Sequence, residues 1–149
     1  MQVGEACNRD VVISDRNDLI SDAAKLMRHH HVGDVVVVEE RDGNYFPVGI
    51  LTDRDLVVEI LANEVAPETL LVGDVMTYDL VVAKEDESLP EAIKRMRDKG
   101  IRRMPVVTND GVLAGIITLD DLLDLMAEQL ADLVAMVGRS QRRESDRHP

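Results

Sequence analysis

Apolar positions along this chain follow two periods in turn, and the same order of periods occurs twice. The β-branched runs Val11-Val12-Ile13 and Leu80-Val81-Val82 read as strands, each followed by a polar turn. A helix is predicted after each. Ile20, Ala24 and Met27 stand at helical spacing, as do Leu89, Ile93 and Met96, and Pro90 falls in a first turn, where its missing N–H is harmless. Hairpins follow, Val35 to Val38 with Val48 to Leu51 and Met104 to Val107 with Val112 to Ile117. Such unbroken apolar runs predict strands covered on both faces. A further helix is predicted from Thr52 and again from Thr118.

The recurrence extends to residue identities, which points to a duplicated unit. Val3, Gly4, Ala23, Lys25, Met27 and Arg28 return as Val72, Gly73, Ala92, Lys94, Met96 and Arg97, an offset of 69. Gly49-Ile50-Leu51-Thr52 returns as Gly115-Ile116-Ile117-Thr118, an offset of 66. The three extra residues of the first copy fall between Glu39 and Pro47, where Asp42-Gly43-Asn44 signals a turn that tolerates length change. The fold class expected is α+β: two tandem βαββα repeats in one pseudo-twofold module, with an extended C-terminal helix. Residues 3–62 form repeat 1, 63–71 a linker around Pro67, 72–127 repeat 2, 128–138 a helical extension and 139–149 a disordered tail.

The run Gly100-Ile101-Arg102-Arg103-Met104-Pro105-Val106-Val107, followed by Gly115-Ile116-Ile117-Thr118 to Asp121, resembles tandem CBS domains, the cystathionine-β-synthase-type repeat. Gly49-Ile50-Leu51-Thr52-Asp53-Arg54-Asp55 is especially similar to small stand-alone bacterial CBS pairs, and the likeness covers residues 3 to 127. It implies a regulatory module that binds AMP, ADP or ATP, with NAD and S-adenosylmethionine in the same range, and no obligatory cofactor. It also implies that the Asp of Thr-x-x-Asp accepts both ribose hydroxyls, since a carboxylate offers two acceptors to a vicinal diol. Read locally, Thr52-x-x-Asp55 and Thr118-x-x-Asp121 are helix caps, and the two roles are compatible.

By the same resemblance, one cleft combines Thr52 and Asp55 with Thr77, Leu80, Val82, Ile101, Arg102, Arg103, Met104 and Pro105, with the Leu80–Val82 backbone facing adenine; Arg54, in the first helical turn, is a candidate further phosphate contact, against the plainer reading of a solvated arginine. A second, weaker site pairs Thr118 and Asp121 with Asn8, Val12, Ile13, Gly33, Asp34 and Val35. Where repeat 2 carries Arg102-Arg103, repeat 1 carries Gly33-Asp34, and a carboxylate repels an anionic ligand. The first cleft is therefore the expected phosphate site, against the plainer reading that its arginines pair with surface acids.

Charge narrows the function classes. Seventeen Lys and Arg against twenty-nine Asp and Glu leave a net charge of −12 in 149 residues, which argues against nucleic-acid binding. Tyr45, Phe46 and Tyr78 offer little stacking surface. No signal peptide or membrane span is evident, and Cys7 is the only cysteine, so a cytoplasmic protein is expected. His29-His30-His31 reads as a helix C-terminus, because adjacent helical side chains diverge too far to share an ion. No nucleophile–base pair or phosphate loop is recognisable, so no enzyme is expected.

Leu119, Leu123, Met126, Leu130, Leu133 and Val137 recur at steps of four and three, a coiled-coil seam that either zips to a second subunit or folds back. The resemblance favours a homodimer. With no effector domain in the chain, a sensor's output passes to a separate protein; the competing reading is a dimeric interaction scaffold with vestigial clefts.

Overall fold

The computed structural model describes residues 1–147; His148 and Pro149, the end of the expected tail, lie outside the described residues. Residues 1–117 form one compact unit, and the chain from Thr118 onward a second.

The first repeat runs α1 (Val3–Ala6), β1 (Ile13–Asp15), α2 (Ile20–His30), β2 (Asp34–Arg41), β3 (Asn44–Thr52) and the short helix α3 (Asp53–Asp55), which continues as a π-wound turn over Leu56–Leu61. A 3₁₀ turn at Pro67–Thr69 leads into the second: α4 (Val72–Val75), β4 (Ala83–Lys84), α5 (Leu89–Lys99), β5 (Arg103–Val107), β6 (Leu113–Thr118) and α6 (Leu119–Arg147). Each repeat holds a three-stranded sheet, ordered β1-β2-β3 and β4-β5-β6. β1 runs parallel to β2, and β2 antiparallel to β3 with a bulge at Val37/Val38.

The unbroken valines of β2 have a physical account. Side chains alternate across a strand. Val35 and Val37 pack on one face with Ile20, Ala23, Met27 and Leu51, while Val36 and Val38 pack on the other with Ile116 of the second repeat. One face makes the repeat's own core and the other the junction between repeats. In α2 and α5 the fully covered positions are Ala23 and Ala92, in place of the expected Ala24 and Ile93, which are half-buried.

Each repeat lends its leading segment to the other. Val3 and Gly4 donate their N–H groups to Glu87 and Glu85 carbonyls, and Val72 and Gly73 donate to Asp18 and Arg16. Val72 and Met76 are thereby buried in the first repeat's core. The segments after α1 and α4 then bridge to the opposite sheet: Asn8 exchanges backbone hydrogen bonds with Ile116 at 2.9 Å each way, and Thr77 does so with Ile50 at 2.9 and 3.3 Å. A residue's Cβ has no room where these segments pass. One at Gly49 would lie 2.7 Å from Met76 Sδ and 2.9 Å from Thr77 O; one at Gly115, 2.7 Å from Cys7 Sγ and 2.8 Å from Asn8 O.

Three expectations need correction. The first strand of each repeat starts later than predicted, because Val11, Val12 and Leu80 to Val82 precede the strand ladders. The helix after Thr52 is widened into π geometry, with Ala62 N–H reaching Val57 O at 2.8 Å. The tail expected to be disordered from Arg139 is helical to Arg147. Gly138 costs about 1 kcal/mol in a helix interior, but the Gln, Arg and Glu residues that follow are good helix formers.

Candidate functional site

The start of α3 is fixed by a reciprocal cap. Thr52 Oγ1 accepts from Asp55 N–H at 3.1 Å, and Asp55 Oδ2 accepts from Thr52 N–H at 2.9 Å. This satisfies two groups that a helix and its flank leave unpaired. In the second unit Asp121 N–H likewise donates to Thr118 Oγ1 at 3.1 Å.

Because Thr77 pairs with Ile50, the polypeptide from Thr77 onward crosses the end of β3 beside Thr52. A cavity of about 250 Å³ opens there, lined by Ile50, Thr52, Thr77, Asp79, Leu80, Val81, Gly100, Ile101, Arg102, Arg103 and Pro105. Both repeats build it. Thr52, Thr77, Leu80, Ile101, Arg102, Arg103 and Pro105 are thus brought together, Val81 lies within the expected Leu80–Val82 stretch, and Ile50, Asp79 and Gly100 are additions.

Other expected members stand elsewhere. Asp55 lines a neighbouring hollow of about 350 Å³ with Glu59, Val65, Leu70, Asp74, Val75 and Thr77, so Thr77 is shared while the acid and the arginines face different hollows. Its carboxylate also accepts from the Thr52 N–H in the cap, and Thr52 itself lines the first cavity. Arg54 is exposed on α3. Met104 is fully buried, and its sulfur takes a 3.7 Å contact from Arg95. The Val82 carbonyl accepts from Arg95 Nη2 at 2.8 Å, and the same nitrogen donates to Glu87 at 3.0 Å. Sequence reasoning missed this brace; Arg95 replaces Leu26 of the first repeat, a charge at an otherwise apolar helical position.

The arginines differ in environment. Arg102 is exposed at the cavity. Arg103 Nε lies 3.0 Å from Asp34 Oδ2, but its N–H points off that oxygen, so the contact is coulombic more than a directed hydrogen bond. Asp34 and Arg103 occupy matched positions of the two repeats, 69 residues apart, and so pair across the module. Asp34, expected to repel an anionic ligand in the weaker site, lies against the Arg103 guanidinium. The plainer reading of Arg103, as a partner for an acid, holds at this contact.

For the weaker expected site, Val35 is fully buried and Asn8 is engaged with Ile116 through its backbone. The Gly33 carbonyl accepts from Asp53 N–H at 2.9 Å, and a Cβ at Gly33 would lie 3.1 Å from Asp53 Oδ2, a tight contact that the exposed Asp53 side chain can relieve by shifting. Val12 and Ile13 are half-buried, beside and at the start of β1. His31 ends α2 in a left-handed conformation at φ 55°, and His29 and His30 meet edge to face at 4.9 Å. Burial pushes the Cys7 thiol up from its usual range, against the opposing charge of Arg9.

The profile of the CBS domain matches residues 3–62 and 72–128. The chain belongs to the CBS domain family. Among its relatives, the uncharacterized protein MK0525 of Methanopyrus kandleri is 38% identical over 125 residues, which span 84% of this chain and 62% of that one. The CBS domain-containing protein YhcV of Bacillus subtilis is 35% identical over 80% of this chain and 81% of its own length. Among solved structures, the CBS domain pair of protein MJ0100, in complex with 5′-methylthioadenosine and S-adenosyl-L-methionine, superposes with a TM-score of 0.75 at 25% identity, covering 87% of this chain and 98% of that one. Among the described residues, no helix is long and apolar enough to cross a membrane.

Proposed function

We propose that this chain is a cytoplasmic regulatory module that binds an adenine nucleotide or related adenosyl ligand in the cavity between its repeats and passes occupancy to a separate protein. The observation that carries this reading is the composition of the cavity: Thr52 comes from one repeat, Thr77, Leu80 and Arg102 from the other. A ligand held by both biases their relation, which is what a relay needs. Apolar Ile50, Leu80, Val81 and Ile101 suit the faces of a purine, and Arg102 suits a phosphate or carboxylate. Asp55 lines the next hollow together with Thr77, and the reading assigns it the ribose hydroxyls of a ligand that spans both hollows. The adenosyl ligands of the MJ0100 pair support the ligand class. The role proposed is regulatory, not catalytic.

A thermal-shift panel with AMP, ADP, ATP, NAD, S-adenosylmethionine and methylthioadenosine tests it, because a ligand at 100 times its Kd adds about 2.7 kcal/mol. The expected result is a shift with at least one member, removed by Arg102→Ala and by Asp55→Ala and less affected by Asp121→Ala. Arg103→Ala is the poorer probe, since it also removes a partner of Asp34. That pairing favours the second reading, an interaction scaffold whose cleft is neutralised; no shift with any ligand selects it.

A further inference from the structure

One ladder bond of repeat 1 cannot form in repeat 2. In the first sheet Val36 donates its N–H to the Val12 carbonyl at 2.9 Å, and β1 is in register with β2 from Ile13 onward. At the matched position, 69 residues on, Pro105 stands for Val36 and has no N–H to give to Val81. The second ladder accordingly starts one residue later, where Ala83 pairs with Val106. Leu80 and Val81 line the cavity, so the wall they form is the stretch deprived of that bond.

Arg95 reaches the same wall from α5. Its Nη2 donates to the Val82 carbonyl at 2.8 Å and to Glu87 Oε2 at 3.0 Å, so the guanidinium is itself held in place. At the matched place in α2, Leu26 packs on the first repeat's core. There Asp18, the counterpart of Glu87, accepts instead from Ser14 Oγ and the Asp15 N–H, at 2.9 Å each. Arg95 therefore departs from the first repeat's pattern together with Pro105. The departure is unfavourable for stability, because Arg95 Nε is buried without a hydrogen-bond partner, which a leucine would avoid. Local conflicts of this kind tend to mark function. We infer that Arg95 is a positioning residue: by tethering Val82 it makes good the ladder bond that Pro105 withholds and fixes the Leu80–Val82 wall in the form that receives a ligand. The effect on a ligand rests on the adenosyl reading above; the effect on the wall does not.

The test is Arg95→Leu, which copies Leu26, in the full chain. Urea denaturation is expected to give a midpoint equal to or above that of the wild type, because the packing is kept and the unpartnered nitrogen is removed. Hydrogen exchange read by mass spectrometry is expected to quicken severalfold over 79–86 and to stay unchanged over the matched stretch 10–17. Arg95→Lys is expected to restore the slower rate, since one nitrogen makes both contacts and an ammonium can do the same. Pro105→Val, which returns an N–H to the ladder, is expected to shrink the effect of Arg95→Leu on exchange. Unchanged exchange over 79–86, or lost stability with faster exchange throughout the chain, overturns the proposal. Calorimetry with AMP and with S-adenosylmethionine reads the consequence, with binding about tenfold weaker in Arg95→Leu and recovered in Arg95→Lys. Undiminished affinity beside a loosened wall also overturns the positioning role. If neither compound binds the wild type, the adenosyl reading falls, and the exchange result alone decides whether Arg95 holds the wall.

Discussion

Placed over one another, the two repeats match at many buried positions and differ at several positions in and around the cleft. Ala23 and Ala92, Met27 and Met96, Val35 and Met104, and Leu51 and Ile117 are matched and buried. Gly33-Asp34 stands against Arg102-Arg103, Leu26 against Arg95, His31 against Gly100, and Arg9 against Tyr78. Arg9 and Tyr78 still do the same work, donating to the matched Gly4 and Gly73 carbonyls. The difference teaches that duplication kept the fully buried positions apolar, while the cleft and its surroundings became one-sided.

The strongest test of the equivalence is in the cores. Leu51→Ala and Ile117→Ala, both essentially fully buried, are each expected to cost about 3 kcal/mol by urea denaturation, within 1 kcal/mol of one another. A large gap between them separates the repeats energetically. Next come Gly49→Ala and Gly115→Ala, each expected to lose about 2 kcal/mol, because both would press a Cβ against a sulfur and a backbone oxygen under 3 Å away. The charge asymmetry is smaller. A double-mutant cycle on Asp34→Ala and Arg103→Ala is expected to give a coupling of about 0.5–1 kcal/mol, discounted because the Arg103 side chain keeps 30% of its exposure. Arg103→Asp, which makes the matched positions alike, is expected to be worse than Arg103→Ala in thermal melting. Smallest is the helix cap. His31→Gly is expected to stabilise by about 0.5–1 kcal/mol and Gly100→His to destabilise by a similar amount, since both positions hold φ near +60°.

Much of this was legible in the sequence because it is local. The doubled order of elements, the α2 and α5 stripes, and the Thr-x-x-Asp caps depend on neighbours within a few residues. The crossing of Asn8 to Ile116 and of Thr77 to Ile50 does not, and with it went Ile50, Asp79 and Gly100 as cavity residues. The one available signal was the pair of matched glycines, Gly49 and Gly115, which mark a close backbone approach. Asp34 and Arg103 were noticed as opposites at matched positions, but their meeting needed the fold. Asp55 was placed among the arginines by the resemblance; which hollow its side chain lines is a matter of side-chain direction, which spacing does not encode.

The exchanged leading segments carry a consequence for assembly from pieces. Severed between Glu64 and Pro67, outside both sheets, neither fragment keeps its own complement: the first lacks Val72 and Met76 for its interior, and the second lacks the strand-edge cover that Asn8 provides. Mixed, the fragments find one another by trading those arms. Self-pairing of the first would set aspartate against aspartate, and of the second arginine against arginine, so the ion pair at the seam tilts the choice toward the unlike half.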